Sequence, residues 1–161
     1  ILMVSATFTG LIINYYQNAL TAYVVLTAYI PMLMDTGGNS GSQSAVTIIR
    51  ALSLQDLEFG DLPRVLWKEL RVATLSGVTV AAVNFIKLLL LDRVGFTVAF
   101  IICSTLVLTV LVAKLVGCSL PLLAKRIGFD PAVMASPFIT TIVDAISLLI
   151  YFGISSTLLP L

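Results

Sequence analysis

The sequence predicts an all-α membrane protein with five transmembrane helices per subunit, its N-terminus cytoplasmic and its C-terminus outside. Three observations predict it: the scarcity of charge, apolar runs punctuated at bilayer-spanning intervals, and an uneven placement of basic residues. Of 161 residues, 59% are hydrophobic and 11% charged, nine basic and eight acidic, and the mean hydropathy is +1.10. Soluble domains carry about 25% charged residues, so a water-facing globule of this size could not cover its surface. The net charge of +1 excludes the basic footprint of a nucleic-acid binder. The chain has no histidine, which removes Ser-His and Cys-His catalytic arrangements and most zinc sites, and no enzyme is expected. Cys103 and Cys118 lie apart in apolar surroundings and read as small buried hydrophobes.

A spanning helix needs about 20 mostly apolar residues, and the charges fall at close to that interval. The first span covers residues 1–15 and closes on the tyrosine pair Tyr15-Tyr16, amphipathic rings suited to headgroup depth. The second covers about 19–52, too long for one straight crossing and interrupted by Pro31 and Gly37-Gly38. A polar cytoplasmic connector follows at 53–71, with Asp56, Glu58, Asp61, Arg64, Lys68 and Glu69. The third span covers about 72–91, closed by Asp92-Arg93, and the fourth about 94–124, closed by Lys125-Arg126. Gly128 then suits a helix C-cap, Asp130 an N-cap and Pro131 the first helical position of a fifth span that runs to about 159.

Basic residues set the orientation. Arg50, Arg64, Lys68 and Arg71 flank or fill one connection and Lys125 and Arg126 another, while the opposite face has only Arg93 in its loops. The positive-inside rule places the first two groups in the cytoplasm. A chain that opens on Ile1 rather than Met, with an odd number of spans and its N-terminus inside, reads as an excised membrane domain (residues 1–161) that follows a cytosolic part.

Ionisable groups within spans are costly and point to function. Lys87 lies near Asp92, so its stem can snorkel to the outer interface. Lys114 is deeper, about 16 Å from the inner end at Lys125. Asp144 lies about 20 Å beyond Pro131, near mid-membrane. Pro137, Thr140, Thr141, Asp144, Ser147 and Tyr151 recur at three- and four-residue spacings and form a polar stripe on an otherwise apolar helix. Two readings stand: a pore or substrate path with a central carboxylate, or a packing face on which Asp144 pairs with Lys114.

The second unusual segment runs from Pro31 through Asp35, Gly37, Gly38, Asn39, Gly41, Gln43 and Ser44. Proline and glycines predict a helix loosened in mid-membrane, where freed backbone is tolerated against protein or a water-filled cavity. The Asn39 and Gln43 amides would then line the gap. Alternatively, Gly37 and Gly41 form a small-xxx-small pair for close helix packing, and both readings can hold together. An oxygen-rich, histidine-free path suits a hard cation.

These segments resemble a known family. Residues 31–44, with GGNSGSQS at their centre and Arg50 beyond, are similar to the second transmembrane helix of the MgtE-type magnesium channels. Asp130-Pro131-Ala132, Ser136-Pro137-Phe138-Ile139-Thr140-Thr141, Asp144 and Tyr151-Phe152 resemble that family's fifth helix. The resemblance implies a homodimeric helix bundle in the bacterial inner membrane, with Mg²⁺ as the transported ion, also bound in a pore on the dimer axis. By motif position Asp144 would be the metal-binding pore carboxylate, with Gly38, Asn39, Gly41, Gln43, Pro137, Thr140, Thr141 and Ser147 lining the pore. It also implies cytosolic N-terminal and CBS regulatory domains that this chain lacks. Asp35 is assigned no metal role.

Two further classes compete. A proton-coupled transporter of a divalent cation would use Asp144 and Lys114. An intramembrane aspartyl protease would pair Asp35 with Asp144, but Val143 stands where a glycine-rich motif is expected.

Overall fold

The computed structural model describes residues 2–17, 21, 23–133 and 137–159. Five α-helices account for most of them: α1 (Leu2–Tyr15), α2 (Ile30–Ser53), α3 (Leu62–Leu90), α4 (Phe96–Arg126) and α5 (Pro137–Leu158). Short 3₁₀ turns precede α2 (Val24–Tyr29) and α3 (Phe59–Asp61). Three helices are long and apolar enough to cross a membrane: α3 with its leading turn, α4 and α5. The expected five apolar spans thus become five helices of which three meet that standard. In α1, the 14 described residues reach about 21 Å, short of a hydrocarbon core of about 30 Å. The 24 residues of α2 are long enough, but its amide and hydroxyl run dilutes the apolar content.

The centre of the fold is α4, which packs against α2, α3 and α5, while α5 also packs against α2 and α1. Apolar side chains supply the contact: Leu33 of α2, Leu88 of α3, Ile101, Ile102 and Leu106 of α4, and Tyr151 and Phe152 of α5 are buried in one cluster. Tyr151 keeps its hydroxyl satisfied by donating to the Leu26 carbonyl at 2.9 Å. Serine and threonine hydroxyls inside these helices donate to the carbonyl four residues back, as Thr105 does to Ile101 and Ser155 to Tyr151. That bond removes the desolvation cost of a hydroxyl in apolar surroundings.

Several boundaries differ from the sequence expectation, each for a local reason. The helix α2 is continuous from Ile30 to Ser53, without a break at Gly37-Gly38. Pro31 lies in its first turn, where the missing N–H has no intrahelical partner anyway. The glycines are retained for close approach. A Cβ on Gly37 would lie 2.7 Å from the methyls of both Thr109 and Val143, and one on Gly41 would lie 2.7 Å from Ile139 and 3.0 Å from the Ala113 carbonyl. Gly117 of α4 faces the Gly41 carbonyl so closely that no side chain fits. Small residues therefore set the α2–α4 crossing, the packing alternative stated above.

The polar connector is not all loop. From Leu62 onward it is the first part of α3, introduced by a capping box in which Glu58 and Asp61 exchange backbone hydrogen bonds. Gly128 takes φ +82° and closes α4 as expected, with Gly128 N–H donating to Lys125 O and Phe129 N–H to Ala124 O. Pro131 does not start a helix. Residues 131–133 form a turn, Asp130 accepts from the Ala132 N–H at 2.8 Å, and α5 begins at Pro137. A short polar side chain that bonds two residues ahead favours a turn over helix entry. Ser136 lies outside the described residues.

Beyond the end of α3, Asp92 accepts from Lys87 Nζ at 2.6 Å and from the Tyr29 hydroxyl at 2.9 Å. The hydrogen bond from Lys87 holds the Asp92 carboxyl below its ordinary range. Lys87 thus reaches the end of its helix and there pairs with Asp92.

Candidate functional site

The helices α2 and α5 bring two stretches of polar residues to one recess. Asp35, Gly38 and Asn39 stand at i, i+3 and i+4 and so share a side of α2; Thr140 and Asp144 stand at i and i+4 on α5. Together with Met34 these residues line a cavity of ≈220 Å³. Gly38 makes the recess possible, because a Cβ there would lie 3.2 Å from the Thr140 methyl. Behind it, the missing Cβ of Gly37 lets α2 lie close against Thr109 of α4 and Val143 of α5.

The polar groups of the lining are two carboxylates, an amide and a hydroxyl, set among apolar surface that includes Met34. Asp35 and Asn39 are exposed, and Thr140 and Asp144 half-buried. The recess therefore opens onto the outer surface of the helix bundle rather than into its core. Among the described residues, no cation forms a salt bridge with Asp144 or Asp35. Nor does any group of three or more Asp, Glu, Cys or His side chains gather there or elsewhere to form a metal cage. Two carboxylates with no fixed counter-charge leave the recess attractive to a cation from outside.

Lys114 is committed elsewhere. Its ammonium lies 3.5 Å from the Glu69 carboxylate and 3.4 Å from the Ser44 hydroxyl, and Ser44 donates to Glu69 at 2.9 Å. This largely buried network joins α2, α3 and α4 and engages Lys114 in place of the Lys114–Asp144 pair that the packing-face alternative required. Neither Glu69, read as part of a connector, nor Ser44, read as part of the path, was predicted to join it. The available signal was that the residues from Leu62 to Arg71 carry no helix breaker after Pro63.

The remaining predicted site residues lie around the recess rather than in it. Gly41 is buried against Ile139 and Ala113. Ser147 is buried near Gly37 and donates to the Val143 carbonyl at 2.6 Å. The Pro137 carbonyl accepts from the Thr141 hydroxyl at 2.6 Å and from Thr140 at 3.2 Å, which turns Thr141 toward its own backbone. Gln43 is exposed one turn beyond Asn39 on α2. The structure adds Asp35 and Met34, whose place at the recess follows from the continuity of α2: an unbroken helix puts Asp35 one turn from Gly38 and Asn39.

A family model described as "MgtE: Divalent cation transporter" matches residues 30–154, the interval from the start of α2 to near the end of α5. A relative named "Magnesium transporter MgtE" in Thermus thermophilus is 39% identical over 165 residues, covering 99% of this chain and 35% of the relative. Proteins of the same name in Bacillus subtilis and Enterococcus faecalis are 31% and 32% identical, covering 97% and 92% of this chain and 34% and 32% of themselves. The chain spans about a third of the length of the curated relatives it matches.

Proposed function

This chain belongs to the MgtE family of divalent cation transporters, and on that premise we propose that its α2–α5 recess is one side of a passive pathway for hydrated Mg²⁺. The family is one of transporters, not of enzymes, and its apolar helices make this a multi-pass membrane protein. In our reading the chain crosses the bacterial inner membrane five times, N-terminus inside and C-terminus outside. A second copy completes the pathway across a two-fold axis. Cytosolic regulatory domains of a longer polypeptide would gate it, and these 161 residues alone would conduct ungated or weakly gated.

The observation that carries the reading is the half-buried Asp144 carboxylate, with no salt-bridge partner among the described residues, in an open recess it shares with Asp35, Asn39 and Thr140. Mg²⁺ dehydrates reluctantly and keeps an octahedral water shell. The carboxylates of Asp144 and Asp35 would attract the ion through its waters, and Asn39 and Thr140 would hydrogen-bond those waters. Binding through water is strong enough to admit the ion and weak enough to release it. Commitment of Lys114 to Glu69 supports passive conduction over a proton exchange between Lys114 and Asp144.

The test is Mg²⁺ uptake in a magnesium-auxotrophic strain. Asp144→Asn keeps the shape and removes the charge, and uptake should fall at least tenfold, about 1.4 kcal/mol of ion stabilisation. Uptake at the unaltered rate overturns the assignment. Flux that collapses when the proton gradient is removed at constant membrane potential would favour proton coupling instead.

A further inference from the structure

One end of α3 carries three cations that form no salt bridge among the described residues. Arg64, Lys68 and Arg71 are exposed and stand at i, i+4 and i+7, so they share one side of the helix. With Thr47, Asp56 and Trp67 they line a cavity of ≈620 Å³ between the ends of α2 and α3. Two further carboxylates reach its wall, but both are engaged. Asp61 accepts from the Glu58 N–H at 3.0 Å, and Glu69 is held by Ser44 and Lys114. Asp61 keeps its charge, so Asp56 and Asp61 stand as two acids against three cations, a net excess of one positive charge, and among the described residues no salt bridge involves Arg64, Lys68 or Arg71. The cavity is therefore electropositive and suited to an anion.

Position in the fold identifies the anion. The apolar part of α3 starts at Val72, immediately after Arg71, and continues to Leu90, a rise of about 28 Å that matches a hydrocarbon core of about 30 Å. The three cations thus lie within two turns of the membrane boundary, at headgroup depth. Trp67 is 61% exposed there, and an amphipathic indole favours that depth. A second groove of ≈360 Å³ shares Trp67 and Arg71 with the first and continues along α3 past Leu70, Thr74 and Leu75. A cavity edged by three cations, with Ile48, Leu57 and Val65 also in its wall, and an apolar groove leading from it toward the bilayer core match a phosphate group with an acyl chain attached.

We propose that this paired cavity binds an anionic phospholipid of the leaflet at this end of α3, with its phosphate between Arg64, Lys68 and Arg71 and one acyl chain in the groove beside Trp67. Arginine guanidinium groups offer the planar forked donors that phosphate oxygens accept. The site rests on membrane embedding and not on the ion pathway, since its readout is lipid contact.

Trp67 is the chain's single tryptophan, so its fluorescence reports on the site directly. The protein is reconstituted in phosphatidylcholine vesicles in which either phosphatidylglycerol or a matching share of phosphatidylcholine carries brominated acyl chains, which quench a neighbouring indole. Brominated phosphatidylglycerol should associate at least about fivefold more strongly, the ratio that one basic residue near an anionic surface supplies. Arg64→Gln, Lys68→Gln and Arg71→Gln combined should bring the ratio to one, whereas Arg64→Lys with Arg71→Lys should retain most of it. Equal quenching by both lipids in the unaltered protein overturns the proposal, as does a preference that survives the triple substitution. Protection of Trp67 from both lipids alike would mark a protein segment seated in the cavity, and also overturns it. If soluble glycerol phosphate abolishes the preference, the site takes a free phosphate anion and the lipid assignment falls.

Discussion

Gly37 decides more than its size suggests. Its missing side chain lets α2 approach Thr109 of α4 and Val143 of α5, whose methyls lie 2.7 Å from where a Cβ would be. Gly37→Ala should overpack this junction and lower stability by about 1–3 kcal/mol, read as a fall in thermal midpoint in detergent. Gly10 is the control, because a Cβ there meets nothing within 4 Å. Gly10→Ala should be neutral or stabilise by about 0.5–1 kcal/mol, the helical preference for alanine. Equal effects of the two substitutions would show that packing at Gly37 is unimportant. The Gly37–Gly41 spacing was legible in the sequence, but its meaning was not. The same glycines fit a loosened helix or a close crossing, and only the neighbours across the gap distinguish the two.

At the scale of elements, the Ser44–Glu69–Lys114 network pins three helices together. The carboxylate and ammonium are 15% and 12% exposed, so each depends on the other for the solvation it has lost. Removing one partner of a buried pair costs about 3–5 kcal/mol, whereas replacing both with apolar groups is often neutral. Lys114→Met should therefore lower the thermal midpoint sharply, and adding Glu69→Met should recover most of the loss. A double variant no better than the single would overturn the pairing. Sequence spacing showed that Lys114 was deep and needed a partner. It could not show which, because Glu69 and Lys114 are separated by a whole helix hairpin and meet only when α3 and α4 pack. The polar run of α2 divides in the same way. Asn39 reaches the recess, Ser44 turns inward to Glu69, and Gly41 lies against α4 and α5. A continuous helix distributes consecutive residues to different sides, which a run of letters does not display.

For the whole molecule, the open recess makes a prediction about assembly. If a second copy closes the pathway, Asn39, exposed at the recess, lies near its own counterpart across the two-fold axis. Asn39→Cys should then give a disulfide-linked dimer on mild oxidation in membranes, while Val83→Cys, exposed on α3, should not. The native Cys103 and Cys118 are buried and free and leave the background low. Cross-linking of both variants alike would reflect random collision, and of neither would place the recess away from an interface.

The sequence by itself determined the membrane class, the helical content and the family, because these depend on charge scarcity, apolar run length and local motifs that need no partner. It also located Asp144 and the Asn39 segment, since a polar residue is conspicuous in an apolar helix. Tertiary structure alone decided which polar residues face the recess, which are spent on packing, and that Asp35 belongs beside Asp144 while Lys114 does not. Those outcomes depend on the rotation of each helix against its neighbours, and that rotation is set by where small residues permit contact and where buried charges must meet.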